Sequence, residues 1–138
     1  MSKREMVVMR GLPGSGKSYH IANNNGMKGA VVCSADDLFY NDQGVYVFQP
    51  WLIGKAHEAC KVKLVKAMMA KESLVVVDNT NTQAWEYELY PILAEALGYK
   101  FELYNIFDGG LTDQELFERC KHGVPLEAIG KMRDRWEF

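Results

Sequence analysis

Residues 6 to 18 read Met-Val-Val-Met-Arg-Gly-Leu-Pro-Gly-Ser-Gly-Lys-Ser, an apolar run that stops at a complete phosphate-binding loop. Gly11 to Ser18 satisfies G-x-x-x-x-G-K-[ST] at every fixed position, with a short buried strand before it and a helix-compatible stretch after it. The residue types follow from the chemistry. Glycines let backbone N–H groups turn inward around phosphate oxygens, and a helix start adds positive potential there. Lys17 is placed to reach the β- and γ-phosphates, and the Ser18 hydroxyl to ligate the Mg²⁺ that bridges them. Gly14, Ser15, Gly16, Lys17, Ser18 and Tyr19 are thus the expected nucleotide contacts, with ATP or GTP as the ligand.

A chain of 138 residues predicts one domain over 1–138, large enough for a real core. Hydrophobic residues make up 48% and charged residues 25%, with a formal net charge of −2, which excludes a disordered chain. The near-neutral balance also excludes broad, non-specific duplex binding, while leaving room for a local basic groove. Cys33, Cys60 and Cys120 form neither a paired framework nor a metal-binding C-x-x-C, so a reducing, cytoplasmic location is expected. No apolar stretch approaches membrane-spanning length, and Met1 to Glu5 leads into the first strand without the pattern of a signal peptide.

Apolar runs at Met6–Met9, Ala30–Cys33 and Leu74–Val77 lack polar alternation, as parallel strands covered on both faces do. Phe101–Phe107 is more mixed and reads as a fourth strand nearer an edge. Between these, helices are predicted from Trp51 to about Lys71 and from about Ala84 to Leu97. The second has Thr82 as N-cap, Gly98 as its stop, and Trp85, Leu89, Ile92, Leu93 and Ala96 as its apolar face. A third starts at the capping box Thr112-Asp113-Gln114-Glu115 and ends near Gly123, and Pro125 opens a terminal helix to about Trp136. Strands separated by helices make an α/β, three-layered fold with a parallel sheet.

Two acidic clusters fall where strands should end: Asp36-Asp37 after the second and Asp78 after the third. In open parallel sheets ligands bind beyond that edge, the one that carries the phosphate loop. A carboxylate there can accept a proton from an attacking hydroxyl, or hold a hydrated metal. Asp36 is favoured for the proton and Asp78 for the metal, with turn-capping as the alternative role of either aspartate of the pair. Phe39 to Val47 reads as an aromatic hairpin turning at Asn41–Gly44, whose rings either stack a base or pack the excursion onto the domain. Arg119, Lys121 and His122 gather cations at a helix end, a placement that either complements the helix dipole or neutralises phosphoryl charge from a lid. On the long helix, His57 shares an inward stripe with Cys60, Leu64 and Met68. Lys61 lies close to that stripe, with Lys55, Lys63 and Lys66 on the solvated side.

These segments together resemble the polynucleotide-kinase-like branch of the P-loop kinases. The likeness runs through Arg10 to Ser18, Ser34-Ala35-Asp36-Asp37 with Phe39-Tyr40, and Ala56-His57. It continues through Asp78-Asn79-Thr80-Asn81-Thr82-Gln83-Ala84-Trp85-Glu86, its most specific part, and Lys121 to Pro125. The resemblance implies a sheet ordered 2-3-1-4 and transfer of the ATP γ-phosphoryl group to a 5′-hydroxyl of DNA or RNA. It implies Asp36 as general base, Lys17 and Ser18 as phosphate and metal contacts, and Arg119 as the lid arginine. Asp37, His57, Lys61, Asn79, Thr80 and His122 are the candidate acceptor contacts. The chain departs from the family pattern at Tyr19, where Thr is usual, and at Cys120, where Asn is common. Phe39 stands two residues after the aspartate pair, where a bacteriophage member of that branch carries an arginine that binds the substrate phosphate. A kinase of a small acceptor and a non-catalytic nucleotide-binding module are the competing readings.

Overall fold

The computed structural model describes residues 3–138. Four parallel strands form one sheet: β1 (Glu5–Gly11), β2 (Val31–Cys33), β3 (Leu74–Asp78) and β4 (Lys100–Phe107). Their order is β2-β3-β1-β4, as the resemblance implies. Central β1 is flanked on both sides, Val7 pairing with Val76 of β3 and Glu102 of β4.

The two-residue period of a strand divides its side chains between two cores. Met6 and Val8 of β1, with Val75 and Val77 of β3, pack one face against α2 (Ile53–Met69) and α4 (Leu89–Leu97). Val7, Met9 and Val76 face the other way, onto Met27 and Ile21, the latter from α1 (Lys17–Asn23). The continuous apolar reading of β1 is therefore a strand buried on both faces. A third cluster (Leu12, Leu116, Ile129, Trp136) binds α5 (Asp113–Arg119) and α6 (Leu126–Asp134) beyond the strand ends.

Five local expectations are corrected. The long helix begins at Ile53, after a 3₁₀ turn over Pro50–Leu52. The helix expected over 84–97 is two pieces, α3 (Ala84–Tyr87) and α4, interrupted at Glu88. Pro91 has no N–H to return to the carbonyl of Tyr87, which accounts for the break. The N-cap of α3 is Gln83, whose capping box closes with Glu86, while Thr82 is wholly buried and donates from Oγ1 to Glu86 Oε2 at 2.5 Å. The apolar face is also rotated: Tyr90, Ala94 and Leu97 meet the sheet, and Trp85, Leu89 and Ile92 are exposed. Finally, α5 stops at Arg119, with Cys120 as its cap, and Gly123 lies in the following turn. Among the described residues, no helix is long and apolar enough to cross a membrane.

Candidate phosphoryl-transfer site

The phosphate loop is built by what surrounds it. Gly14 has φ of 79°, and a Cβ there would sit 2.2 Å from the carbonyl oxygen of Leu116 in α5. Its glycine is required twice over, by backbone conformation and by the close approach of α5. Gly16 has φ of 103° with open space around it, so conformation alone selects glycine there. The loop's far wall is a bulge in β4. Arg10 pairs with Asn105 and Gly11 with Phe107, leaving Ile106 as the extra residue. Phe107 takes φ of 58°, a strained conformation for a bulky residue, and its carbonyl accepts from Leu12 N–H at 2.8 Å.

Within this frame the predicted contacts assemble. Lys17 Nζ donates to the carbonyls of Gly11 (2.8 Å) and Leu12 (3.3 Å), across the mouth of its own loop. Desolvation holds its ammonium below the ordinary lysine value, and nearby Asp78 and Asp36 oppose that shift. Ser18 Oγ donates to Asp78 Oδ2 at 3.0 Å. Burial raises the Asp78 carboxyl, against the pull of Lys17 and the Ser18 hydrogen bond. Among the described residues, Ser15 Oγ is the one buried side-chain polar atom without a partner. An unsatisfied hydroxyl inside a loop of inward N–H groups fits a phosphate oxygen. The Ser18–Asp78 pair offers two hard oxygens, and Mg²⁺ characteristically takes one or two protein oxygens plus phosphate and water. No group of three or more His, Cys, Asp or Glu side chains gathers elsewhere among the described residues as a metal cage. Tyr19, next in line, is 74% exposed.

Asp36 and Asp37 lie in a 3₁₀ turn (Ala35–Phe39) directly after β2, capped by the Ser34 hydroxyl accepting from Asp36 N–H. Their environments differ. Asp37 faces Lys63, whose Nζ donates to its Oδ2 at 3.5 Å and to the carbonyl of Val32 at 2.7 Å. Lys63 is exposed, as its helical position predicts, and its stem reaches from α2 to the end of β2. Asp36 receives the Tyr46 hydroxyl on Oδ1 at 2.9 Å and lies 3.2 Å from His122 Nδ1 through Oδ2. The Phe39–Val47 excursion does turn back on itself, with one antiparallel bridge between Tyr40 and Tyr46.

The remaining candidates separate into those near the site and those committed elsewhere. His57 is half-buried, and its imidazole is pushed below the ordinary value by desolvation and by Lys61, with Glu86 and Asp36 opposing. Lys61 is half-buried on the same helix. Thr80 contributes its backbone, accepting from Gly11 N–H at 3.1 Å. Asn79 needs correction as an acceptor contact. It is buried, its Oδ1 accepts from Ala35 N–H at 2.9 Å, and its Nδ2 donates to Cys60 Sγ at 3.5 Å. Its amide ties β3 to the turn that carries Asp36. Arg119 is exposed at the end of α5, three residues beyond the Leu116 carbonyl that abuts Gly14, and makes no hydrogen bond or ion pair among the described residues.

Arg10 is the residue whose role the motif does not reveal. It is 2% exposed, and its guanidinium donates to the carbonyls of Asn81 (2.8 Å), Thr82 (3.1 Å) and Glu137 (2.6 Å) and to Asn105 Oδ1 (2.9 Å). The rings of Tyr87 and Trp136 lie 4.5 and 4.3 Å from it. A charged residue inside an otherwise apolar strand run was the available signal, because such a charge has to be fully partnered.

Comparisons with known proteins agree with this fold. The family model described as AAA domain (AAA_33) matches residues 6–137. NEDD4-binding protein 2 of Homo sapiens is 36% identical over 137 residues, covering 96% of this chain but only 8% of that protein. Among solved structures, a chain of the Pnkp1/Rnl/Hen1 RNA repair complex superposes with a TM-score of 0.65 at 18% identity, covering 98% of this chain and 44% of that one. A gluconokinase from Sinorhizobium meliloti 1021 gives 0.55 at 15% identity, covering 100% and 78%. The Mycobacterium tuberculosis APS kinase CysC, in complex with AMPPNP and APS, gives 0.52 at 20% identity, covering 77% and 64%. At such identities the structural likeness is one of fold, that of the P-loop kinases. The chain belongs to the AAA domain family, as a P-loop domain of the polynucleotide-kinase-like kind.

Proposed function

We propose that the chain is an ATP-dependent kinase that transfers the γ-phosphoryl group to the 5′-hydroxyl of a DNA or RNA end. The observation that carries this reading is the gathering of Lys17, Ser18–Asp78 and Asp36 at one edge of the sheet, close enough for their charges to perturb one another. A phosphate loop needs no neighbouring carboxylate to bind nucleotide, whereas phosphoryl transfer to a hydroxyl needs one to accept its proton. Asp36 fills that role, being 42% exposed in its side chain and therefore open to an acceptor. Lys17 and the loop amides hold the β- and γ-phosphates, and Arg119 closes from α5 onto the transferring group. Mg²⁺ held by Ser18 and Asp78 would supply neutralising charge across the β- and γ-oxygens. The end-to-end resemblance supports a nucleic-acid acceptor, and three free cysteines support a reducing, cytoplasmic location.

A second reading, a kinase of a small acceptor, draws support from the hairpin at 40–46, which covers one side of Asp36 and narrows the approach. Incubation with γ-labelled ATP, Mg²⁺, 5′-hydroxyl oligonucleotides and free nucleosides separates the two. Label on oligonucleotide 5′-hydroxyls, and none on ends already phosphorylated, is expected. Equal labelling of nucleosides would move the assignment to the small acceptor. Asp36→Asn is expected to keep nucleotide affinity and lose on the order of 10²–10⁴ in turnover. An active Asp36→Asn beside a dead Asp37→Asn would shift the base by one residue.

A further inference from the structure

Both oxygens of Asp36 are met by other side chains, one 10 residues on and one from the turn after α5. Tyr46, from the hairpin, donates its hydroxyl to Oδ1 at 2.9 Å. His122, from the turn after α5, places Nδ1 3.2 Å from Oδ2 and Nε2 2.7 Å from the Tyr40 hydroxyl. The His122 ring also stacks on Tyr46, with centroids 4.2 Å apart and planes at 24°. Four side chains from three segments thus form one closed circuit around a single carboxylate. Aspartate has one χ1 and one χ2 to fix, and the Tyr46 hydrogen bond on one oxygen together with the His122 ring 3.2 Å from the other constrains both.

We infer that Tyr46 and His122 are positioning residues that aim the Asp36 carboxylate at the acceptor hydroxyl. The inference rests on the reading of Asp36 as the base. Each carboxylate oxygen has two lone-pair directions, so one donor on each leaves a free direction for the acceptor's O–H. Burial, and then the hydrogen bond to Asp36, keep the Tyr46 phenol protonated and hence a donor. A proton on His122 Nδ1 faces Asp36 Oδ2, while Nε2 pairs with the Tyr40 hydroxyl at 2.7 Å. The arrangement also gives the hairpin and the turn after α5 a function in common, since neither holds Asp36 alone.

The test uses the intact chain. Tyr46→Phe keeps the stacked ring and removes the donor, and a loss of about 10-fold or more in turnover is expected, with nucleotide affinity unchanged. The amide nitrogen of Asn replaces Nδ1 and that of Gln replaces Nε2, so His122→Asn should retain most of the turnover that His122→Gln loses. Neither Tyr46→Phe nor His122→Gln should cost anything further in an Asp36→Asn background, whereas a merely structural role would add its own loss. Full additivity, or a Gln variant better than the Asn variant, would overturn the inference. A readout independent of any acceptor is the ¹⁵N spectrum of the His122 ring. It should report the Nδ1–H tautomer in the natural chain and lose it in Asp36→Asn. An Nε2–H tautomer in the natural chain overturns the grip outright. A chain that labels no acceptor, yet shows the Nδ1–H form, would overturn the positioning role and the proposed function while leaving the grip established.

Discussion

Arg10 and Lys17 stand on either side of the phosphate loop, yet one cation is consumed by the fold and the other is held for exchange. Every donor nitrogen of Arg10 has a fixed acceptor, drawn from the segment after β3, from β4 and from Glu137, and two rings cover its faces. Lys17 bonds only to carbonyls of its own loop, which are neutral acceptors. Phosphate oxygens are charged and make stronger bonds, so they can draw the ammonium away from those carbonyls, and the Leu12 carbonyl then keeps the Ser15 N–H. The lesson is that a cation in this neighbourhood is functional according to how replaceable its partners are, not according to how buried it is.

The widest gap between the two should appear in stability. Arg10→Ala takes the donor from the carbonyls of Asn81 and Glu137 and from Asn105 Oδ1, the Thr82 carbonyl keeping Glu137 N–H, at a cost on the order of 3 kcal/mol or more, visible in the urea midpoint. Lys17→Ala should move that midpoint by no more than about 1 kcal/mol while abolishing triphosphate binding and activity together. Equal destabilisation by both would erase the distinction. Arg119, without any partner among the described residues, extends the comparison to a cation committed to nothing. Arg119→Ala should lower turnover by on the order of 10²–10³ with little change in the acceptor KM, as loss of a single transition-state donor does. Arg119→Lys should recover only part, because a point charge does not replace the planar fork. A fully active Arg119→Ala would remove the lid role from Arg119.

Gly14 tests the fold side of the same loop. Gly14→Ala forces a Cβ against the Leu116 carbonyl at a left-handed φ, and a loss of about 1–3 kcal/mol is expected together with weakened nucleotide binding. The smallest effect belongs to His57. Its imidazole sits below the ordinary value, chiefly through desolvation, so the fold favours the neutral ring. Its stabilising contribution is complete above the ordinary value of about 6.5. It is lost as pH falls from there through the lower folded value. His57→Gln should remove that part of the acid-side decline in a series of urea midpoints, and an unchanged slope would remove His57 from the account.

The sheet order, the phosphate loop and the Asp36, Asp78 and Lys17 neighbourhood were legible because their signals are local. A loop motif, an apolar run and an aspartate at its end are each written within a dozen residues. What escaped was written across the chain. The partners of Arg10 lie 71 to 127 residues away, and Asp36 and His122 meet only once two remote turns are in place. The face of α4 escaped for another reason. Apolar residues from Trp85 to Leu97 surround the axis, so periodicity alone cannot choose between the stripe through Trp85 and the stripe through Tyr90. Lys63 lies on the solvated side as read, but its contact with the end of β2 was not legible, because helical position locates its Cα whereas its ammonium lies at the end of a long flexible stem.

The bond from Arg10 to Glu137 also sets an order of events during synthesis. A chain emerging N-terminus first carries its first strand, with a guanidinium in the middle of it, long before the carbonyl of Glu137 exists. Until then the ribosome-bound chain cannot bury Arg10 with all its donors matched, and the central strand cannot be sealed. Sealing the central strand therefore waits on the docking of Trp136 and Glu137, a closure across a separation of 127 residues.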